Sequence, residues 1–345
     1  MNKVTLLHGA GGSFTDKLIN EHILKFIKPY LKFDVSLNML DDAGVYNDIV
    51  ISTDTYTIKP LFFNGGDIGR LAISGTVNDI SVIGGKPIAL SLALIIEEGF
   101  SLEELDKILE SIDMTCKEAD VDIITGDTKV VEKGALDKLM INTSGIGIRN
   151  PFLDDNISYI NRGTKWLLDS NIKDGDKIII SGSIADHGMS ILSAREGYEF
   201  ESDIRSDVMP LNKVIDEALR IKGVVSIKDP TRGGIANLLN EWSEKSNIGI
   251  MIYEDKIPIK ENVKAACSFL GLDPLEIGNE GKICLAVTRE KAEKILDAIK
   301  SFEGCEDASI IGEATNQFDV VAMRTIVGGT RIISKPVGDP VPRIC

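Results

Sequence analysis

Residues Ile68 to Ile83 read as a helix whose apolar stripe runs through Ile68, Leu71, Ala72, Gly75 and Ile83, and Asp79 lies inside that stripe. Asp79 follows Ile68 by eleven residues. At about 100° per residue it falls about 20° from Ile68 around the helix. The face that must be buried therefore carries a carboxylate near its middle. Left there unpaired, the charge would cost several kcal/mol. Backbone N–H groups or a lysine would resolve the conflict, and so would a metal ion. Asp41, Asp42 and Asp54 precede the helix without obvious basic partners, which gives the metal at least equal standing.

Strands and helices alternate through the rest of the chain. Val4 to Leu7 reads as a short strand that enters His8-Gly-Ala-Gly-Gly12, and a helix follows to Ile27 with Ser13 and Asp16 spaced as a capping box. A glycine loop opening a helix can present N–H groups to phosphate. This one matches neither G-x-G-x-x-G nor a Walker loop, and a plain glycine turn is the simpler reading. Ile49 to Thr53 is a strand with Asp54 at its end, and Asn64-Gly-Gly-Asp67 supplies a turn and an N-cap for the Asp79 helix. Ile88 to Ile96 is a buried strand, Ser101 and Glu104 cap a helix reaching about Ala119, and Leu139 to Ile148 is a further strand. Between them, Asp127 and Lys129 point the same way on extended chain. Together they can position a metal-bound triphosphate, or they form a simple salt bridge.

In the second half, a strand at Asp176 to Gly182 precedes His187, which reads as structural or polar lining. The loop Asp229-Pro-Thr-Arg-Gly-Gly234 lies between strand-like Val224 to Ile227 and a helix Ile235 to Lys245. Glu280 stands on a turn before the strand Ile283 to Val287, where exposure is expected. A helix, Glu290 to Phe302, and strands Ile310 to Glu313 and Val320 to Arg324 complete an α+β pattern rather than a uniform βαβ series.

The last eleven residues, Lys335 to Cys345, contain Pro336, Pro340 and Pro342. They exclude a helix or a central strand. Extended at about 3 Å per residue, the segment reaches roughly 30 Å. It ends in a thiol, the best soft nucleophile among the side chains. A length of 345 residues suits two domains. A net charge of −15 disfavours nucleic acid and anionic membranes as partners. No apolar run is long enough for a bilayer. Five cysteines without a C-x-x-C pair argue against a disulfide framework or a zinc site and point to the cytoplasm.

Asp42, Asp54, Asp79, Asp127 and Asp229 share one context, a strand- or glycine-bounded position with no nearby base. Five such acids suggest a site for two or more Mg²⁺ ions bridging phosphates. Without a Walker loop or a kinase motif set, the nucleotide cradle must be of another kind.

In chain order, His8-Gly-Ala-Gly-Gly12, Asp41-Asp-Ala-Gly-Val45, Ser52-Thr-Asp54, Phe62-Phe-Asn-Gly-Gly-Asp-Ile-Gly-Arg-Leu-Ala72, Gly75-Thr-Val-Asn-Asp79, Thr125-Gly-Asp-Thr-Lys-Val-Val131, Asp229-Pro-Thr-Arg-Gly-Gly234, Asn279-Glu-Gly281 and Pro342-Arg-Ile-Cys345 cover essentially the whole sequence. This set resembles the HypE family, the carbamoyl dehydratases of NiFe-hydrogenase maturation. The acidic motifs are shared with aminoimidazole ribonucleotide synthetase, selenophosphate synthetase and thiamine phosphate kinase; the Pro-Arg-Ile-Cys ending is the specific part. Asn150 to Asp174 is longer than the family pattern and blurs the domain boundary.

The resemblance implies an α+β, two-domain PurM-like fold. Residues 1–155 would bind ATP and Mg²⁺ and dimerise, 156–334 would form the second domain, and 335–345 a flexible tail. It implies a homodimer whose N-terminal domains join strands into a β-barrel. It places Mg²⁺ on Asp42, Asp54, Asp79, Asp127 and Asp229, and ATP beside these residues together with Asn78 and Thr231. It implies that a HypF-type carbamoyltransferase loads Cys345, that the carboxamide is dehydrated to a thiocyanate, and that the cyano group passes to iron on a HypC–HypD-type complex.

Dehydration needs the carboxamide oxygen made into a leaving group, which phosphorylation by ATP achieves, and a base for the amide N–H. Lys129 and Glu280 are the candidates for that base. Lys129 is alternatively an orienting group, Cys345 carries the substrate, and Arg343 steers the tail towards phosphate. The rival readings are another ATP-dependent enzyme of this wider family acting on a free small molecule, and a non-catalytic thiol or iron carrier.

Overall fold

A computed structural model describes residues 3–196, 204–338, 340–341 and 344–345. The start of the chain is not the expected strand. Leu6–Gly9 forms a 3-10 turn, closed by the Thr5 N–H donating to His8 Nδ1 at 3.1 Å. Helix α1 (Gly12–Leu18) follows and widens into a π-type turn, Ile19–Ile23. Gly11 takes the N-cap position, so Ser13 and Asp16 do not make the expected capping box.

The first domain contains β1 (Gly44–Tyr46), β2 (Ile49–Tyr56), a two-residue ladder of β3 (Phe62–Phe63) and β4 (Gly66–Asp67), α2 (Ile68–Val82), β5 (Gly85–Glu97), α3 (Leu102–Ala119), β6 (Asp122–Val131) and β7 (Leu139–Arg149). Five strands form one sheet in the order β1-β2-β7-β5-β6. Only the β5–β6 pair is parallel, and α3 makes its crossover. Two expected caps are present. Asp67 Oδ1 accepts from the N–H groups of Gly69 and Arg70, and Ser101 Oγ accepts from Glu104 N–H.

Helix α2 is buried on nearly all sides: of its 15 residues only Arg70 and Asp79 keep appreciable exposure. It lies on the sheet closely enough that a Cβ at Gly145 or Gly147 of β7 would collide with Ile80. Its other side meets the second domain. Asn78 Nδ2 donates to Met209 O at 3.2 Å, and Leu211 N donates to Asn78 Oδ1 at 2.7 Å. The opposite face of the sheet shows Ile49, Ile51, Ile146 and Ile148, each between 42% and 52% exposed.

The second domain holds α4 (Leu153–Ile160), β8 (Lys177–Ile180), α5 (Asp186–Glu196), α6 (Asn212–Ile221), β9 (Val224–Lys228), α7 (Gly234–Ser246), β10 (Gly249–Tyr253), α8 (Glu261–Leu270), β11 (Cys284–Val287), α9 (Ala292–Ile299), β12 (Ser309–Thr315), β13 (Val321–Arg324) and β14 (Thr330–Ile332). Its seven strands run β14-β13-β10-β12-β8-β11-β9. Both faces are covered, which explains the unbroken apolar run in β8. Ile179 packs with Leu219 of α6 and Ile295 of α9, whereas Ile178 and Ile180 pack with Leu239 and Trp242 of α7. No helix among the described residues is long and apolar enough to cross a membrane.

Candidate active site

A cleft of about 490 Å³ opens where the two domains meet. The turn before β1 brings Asp41 and Asp42 to it, β2 brings Thr53 and Asp54, and α2 brings Asp79. From the second domain, the loop between β9 and α7 contributes Asp229, Thr231 and Arg232, and the turn before β11 contributes Glu280. Glycines 9, 11 and 12 line one side, and Cys345 reaches the same space. Fold and chain order thus gather these five aspartates with Glu280, Arg232 and the Cys345 thiol.

The acids are held in strained company. Burial raises Asp79 well above the usual carboxylate range, and Asp229 and Asp54 push it further. Asp79 Oδ2 accepts from Ser52 Oγ at 2.7 Å. Burial and then Asp42 raise Asp229 to about 7. Burial raises Asp54 against the opposing pull of Arg232. Burial, Asp229 and Asp54 raise Glu280 well above its usual value. Carboxylates that raise one another across a cleft are short of positive charge, and a divalent cation supplies it. Among the described residues they do not close into a three-ligand sphere by themselves. They surround a space in which phosphate or water oxygens would complete the coordination.

Several expectations are corrected. Glu280 is not exposed; only 4% of its surface remains accessible. Its turn is threaded through the domain by Asn279 Nδ2 donating to Pro230 O, Ala185 N donating to Asn279 Oδ1, and Glu280 N donating to Asp207 Oδ1. Nor do all the acids lack bases. Lys228 Nζ lies 2.9 Å from Asp42 Oδ1 and 3.3 Å from both Asp169 Oδ2 and Glu241 Oε2. Those three acids raise its pKa strongly although burial alone would lower it.

Asn78 does not line the cleft, because both ends of its amide are used between domains. Asp127 and Lys129 stand apart as well, on exposed β6, with 3.8 Å between Asp127 Oδ2 and Lys129 Nζ. Within one chain, therefore, the cleft gathers Asp42, Asp54, Asp79, Asp229, Thr231, Glu280 and Cys345, and leaves Asn78, Asp127 and Lys129 outside.

Arg232 was passed over in the sequence, although it follows Thr231 in a motif already singled out. Its guanidinium is kept charged first by the negative charge at Cys345, then by Asp54, Glu280 and Asp79. The tail is also more closely held than its prolines suggest. Lys335 Nζ meets Asp16 Oδ2 at 2.6 Å, and Ser13 N donates to Pro336 O at 3.2 Å. Gly12, with φ +69°, has no room for a Cβ against that same carbonyl. The glycine loop therefore seats the tail. Val341 and Ile344 are each 1% exposed, in a core cluster that spans both domains. Thr57 N donates to Cys345 O at 3.2 Å. Arg343, expected to steer the tail, lies outside the described residues, as does Pro342.

Two domains of this kind, with an acidic cleft between them, define the AIR synthase-related architecture. The AIR synthase related protein N-terminal domain matches residues 40–149, and the C-terminal domain matches residues 173–324. Carbamoyl dehydratase HypE of Escherichia coli K12 is 38% identical over 349 residues, covering 100% of both chains. Carbamoyl dehydratase HypE of Azotobacter vinelandii is 39% identical, covering 99% of this chain and 97% of the other. Among solved structures, hydrogenase maturation protein HypE in complex with ATP superposes with a TM-score of 0.80 at 38% identity, covering 99% of this chain and 100% of that one. A chain of the HypE–HypF complex gives 0.85 at 45% identity, covering 92% and 99%. The chain belongs to the HypE family of carbamoyl dehydratases, which act in hydrogenase maturation. Thiamine monophosphate kinase from Aquifex aeolicus shares the fold, with a TM-score of 0.64 at 15% identity.

Proposed function

We propose that this chain dehydrates an S-carbamoyl group on its own Cys345 to a thiocyanate, at the cost of ATP, and so supplies a cyanide ligand for hydrogenase iron. The observation that carries this reading is the position of Cys345, which lines the same cleft as Asp42, Asp54, Asp79, Asp229 and Glu280. Phosphoryl-transfer groups and the thiol of the carrier share one cleft.

Mg²⁺ fits the four aspartates by their charge and mutual repulsion, and when bound it would neutralise the transferring phosphoryl group. The chain's own residues do the rest. Asp42, Asp54, Asp79 and Asp229 would hold the cations, and Thr231 would contact the nucleotide beside them. Arg232 stands next to Cys345 and orients the carboxamide oxygen towards the γ-phosphorus. That oxygen forms a bond to phosphorus as the bond to the departing ADP breaks. Loss of the N–H protons and cleavage of the C–O bond then release phosphate and leave C≡N on sulfur. Glu280 is the better-placed base, since it lines the cleft with Cys345 and Lys129 of the same chain does not.

The chain works as a homodimer in this reading. The exposed isoleucine row on the first sheet and the open edge of β6 would be covered by a second copy, closing a barrel. That arrangement would bring Asp127 and Lys129 of the second copy towards the cleft, giving Asp127 its metal-binding role and Lys129 an orienting one. A HypF-type carbamoyltransferase loads Cys345, and a HypC–HypD-type iron complex accepts the product. Five free cysteines support a reducing, cytoplasmic setting.

The test is mass spectrometry of the peptide ending at Cys345 after carbamoylation, with and without MgATP. The reading requires loss of one water at Cys345 that depends on MgATP. An unchanged adduct, or water loss without nucleotide, overturns it.

A further inference from the structure

His187 lies at the start of α5 with none of its surface accessible, and its partners come from distant parts of the chain. Its Nδ1 is 2.8 Å from Ser206 Oγ, and its Nε2 is 2.7 Å from Ile344 O. Ser206 Oγ also accepts from Val208 N–H at 3.2 Å. The hydroxyl hydrogen is therefore available to Nδ1, which accepts it. A carbonyl oxygen only accepts, so Nε2 carries the hydrogen that is donated to Ile344. Burial lowers the His187 pKa and keeps the ring in this neutral form. Phe63 packs edge-on against the ring, with centroids 5.5 Å apart, and fixes its plane.

The Ile344 side chain occupies a socket beside this ring. It packs with Ile277 and Met189, and a Cβ at Gly278 would collide with its Cδ1. One residue thus has its side chain buried and its carbonyl held by a donor of defined tautomer. The next residue is Cys345, in the cleft.

We propose that His187 is a positioning residue, a latch that holds Ile344 in its socket and thereby sets the fraction of chains whose Cys345 is docked. The inference rests on the proposed function for its purpose. A thiol seated at the nucleotide cleft cannot also be presented to a macromolecular loading partner, so the tail must be out of the socket for loading and back in it for dehydration. Removing the Nε2–H donor costs one buried hydrogen bond and strands a carbonyl. It shifts the tail outward without touching the acids that hold nucleotide.

The experiment is the labelling rate of Cys345 in the full, folded chain by a bulky fluorescent iodoacetamide, without nucleotide. His187→Phe keeps a ring of similar shape and removes both hydrogen bonds; labelling of Cys345 rises about tenfold, as loss of roughly 1.4 kcal/mol of docking requires. His187→Gln places an amide N–H near the lost Nε2–H and returns labelling to within about twofold of the parent chain. Cys116, Cys267, Cys284 and Cys305 are buried in the body, and their labelling stays unchanged. Ile344→Ala empties the socket and leaves α5 and His187 unchanged, and it raises Cys345 labelling in the same way. Labelling of Cys345 that is unmoved in a folded His187→Phe chain overturns the latch, and so does labelling unmoved in Ile344→Ala. So does a rise shared by the four buried cysteines, which would mean general loosening. Neither readout uses ATP. In the parallel assay, a parent chain carbamoylated at Cys345 with cyanate that loses no water with MgATP overturns the proposed function and leaves the latch to be judged on labelling alone.

Discussion

Lys228 Nζ stands 2.9 Å from Asp42 Oδ1, so the cleft is joined to a buried cation at the end of β9, one residue before Asp229. The same ammonium reaches Asp169 and Glu241. Asp169 is tied in turn to Lys245 Nζ at 2.7 Å and to Trp242 Nε1 at 2.9 Å. Burial alone would push Asp169 up, but the two lysines hold it below the usual carboxylate range. The floor of the cleft is thus an alternating charge network that includes one of the acids proposed to hold Mg²⁺. Removing its central cation leaves three buried or half-buried carboxylates facing one another. Lys228→Met is expected to lower the unfolding free energy by about 3–5 kcal/mol, measured by chemical denaturation. A loss below about 1 kcal/mol would mean that the network is solvated.

The metal-free protein is expected to lose stability as pH rises towards neutrality. Burial and Asp42 raise Asp229 to about 7, and burial and Asp169 raise Asp41 to about 6, both from 3.8. Between these values the folded state binds protons that the unfolded state has released. The stabilising contribution is therefore complete below about pH 4 and is lost as pH climbs through 6 to 7. Denaturation at about pH 5.5 and about pH 7.5 should show the higher free energy at the lower pH, with added Mg²⁺ closing the gap. A flat profile without Mg²⁺ contradicts the charge description of the cleft.

Neighbouring residues on α2 should separate into two kinds. Asp79→Asn removes a cleft carboxylate and is expected to weaken MgATP binding at least about tenfold, roughly 1.4 kcal/mol, while the protein keeps its thermal stability. Asn78→Ala strands Leu211 N–H and Met209 O between the domains. It is expected to cost about 2 kcal/mol of stability and to leave MgATP affinity intact once folded. Titration calorimetry paired with denaturation reads both. Normal affinity in Asp79→Asn removes that residue from the metal site.

Glu280→Gln should keep nucleotide binding and abolish water loss from carbamoylated Cys345. Burial, Asp229 and Asp54 raise the Glu280 pKa, and with Glu280 as the base the parent chain's dehydration rate should climb with pH. A Gln variant that dehydrates at the parent rate assigns the base elsewhere.

Mixing tests whether the second copy completes the cleft. Homodimers of Asp79→Asn and of Asp127→Asn should each be inactive. In a mixed dimer one of the two sites regains both aspartates, so an equal, re-equilibrated mixture should recover about a quarter of the parental activity. No recovery would confine the site to one chain.

Local chemistry was readable in the sequence. The Asp67 and Ser101 caps are set by residues two or three positions apart, and the Asp79 anomaly is visible from helical periodicity alone. What could not be read depends on distant pairing. Lys228 adjoins Asp229, yet its partner Asp42 is 186 residues away, so the cleft looked more deprived of bases than it is. Glu280 sits between Asn and Gly, a pattern that signals an exposed turn; only the folded neighbours Asp207 and Pro230 reveal that it is threaded inside. His187 has no partner nearby in the sequence because Ile344 is 157 residues further on. Asp127 and Lys129 matched a motif, and the motif says nothing about whether their strand faces its own cleft or another chain's.

The tail is anchored at Lys335 and Pro336 and returns to the cleft at Cys345. A reactant tethered over so short a path experiences a local concentration in the millimolar range or higher. Diluting the protein does not separate carrier from catalyst. The first-order rate of a loaded chain should therefore be independent of protein concentration wherever the proposed dimer persists, and an added free carbamoyl thiol should compete poorly.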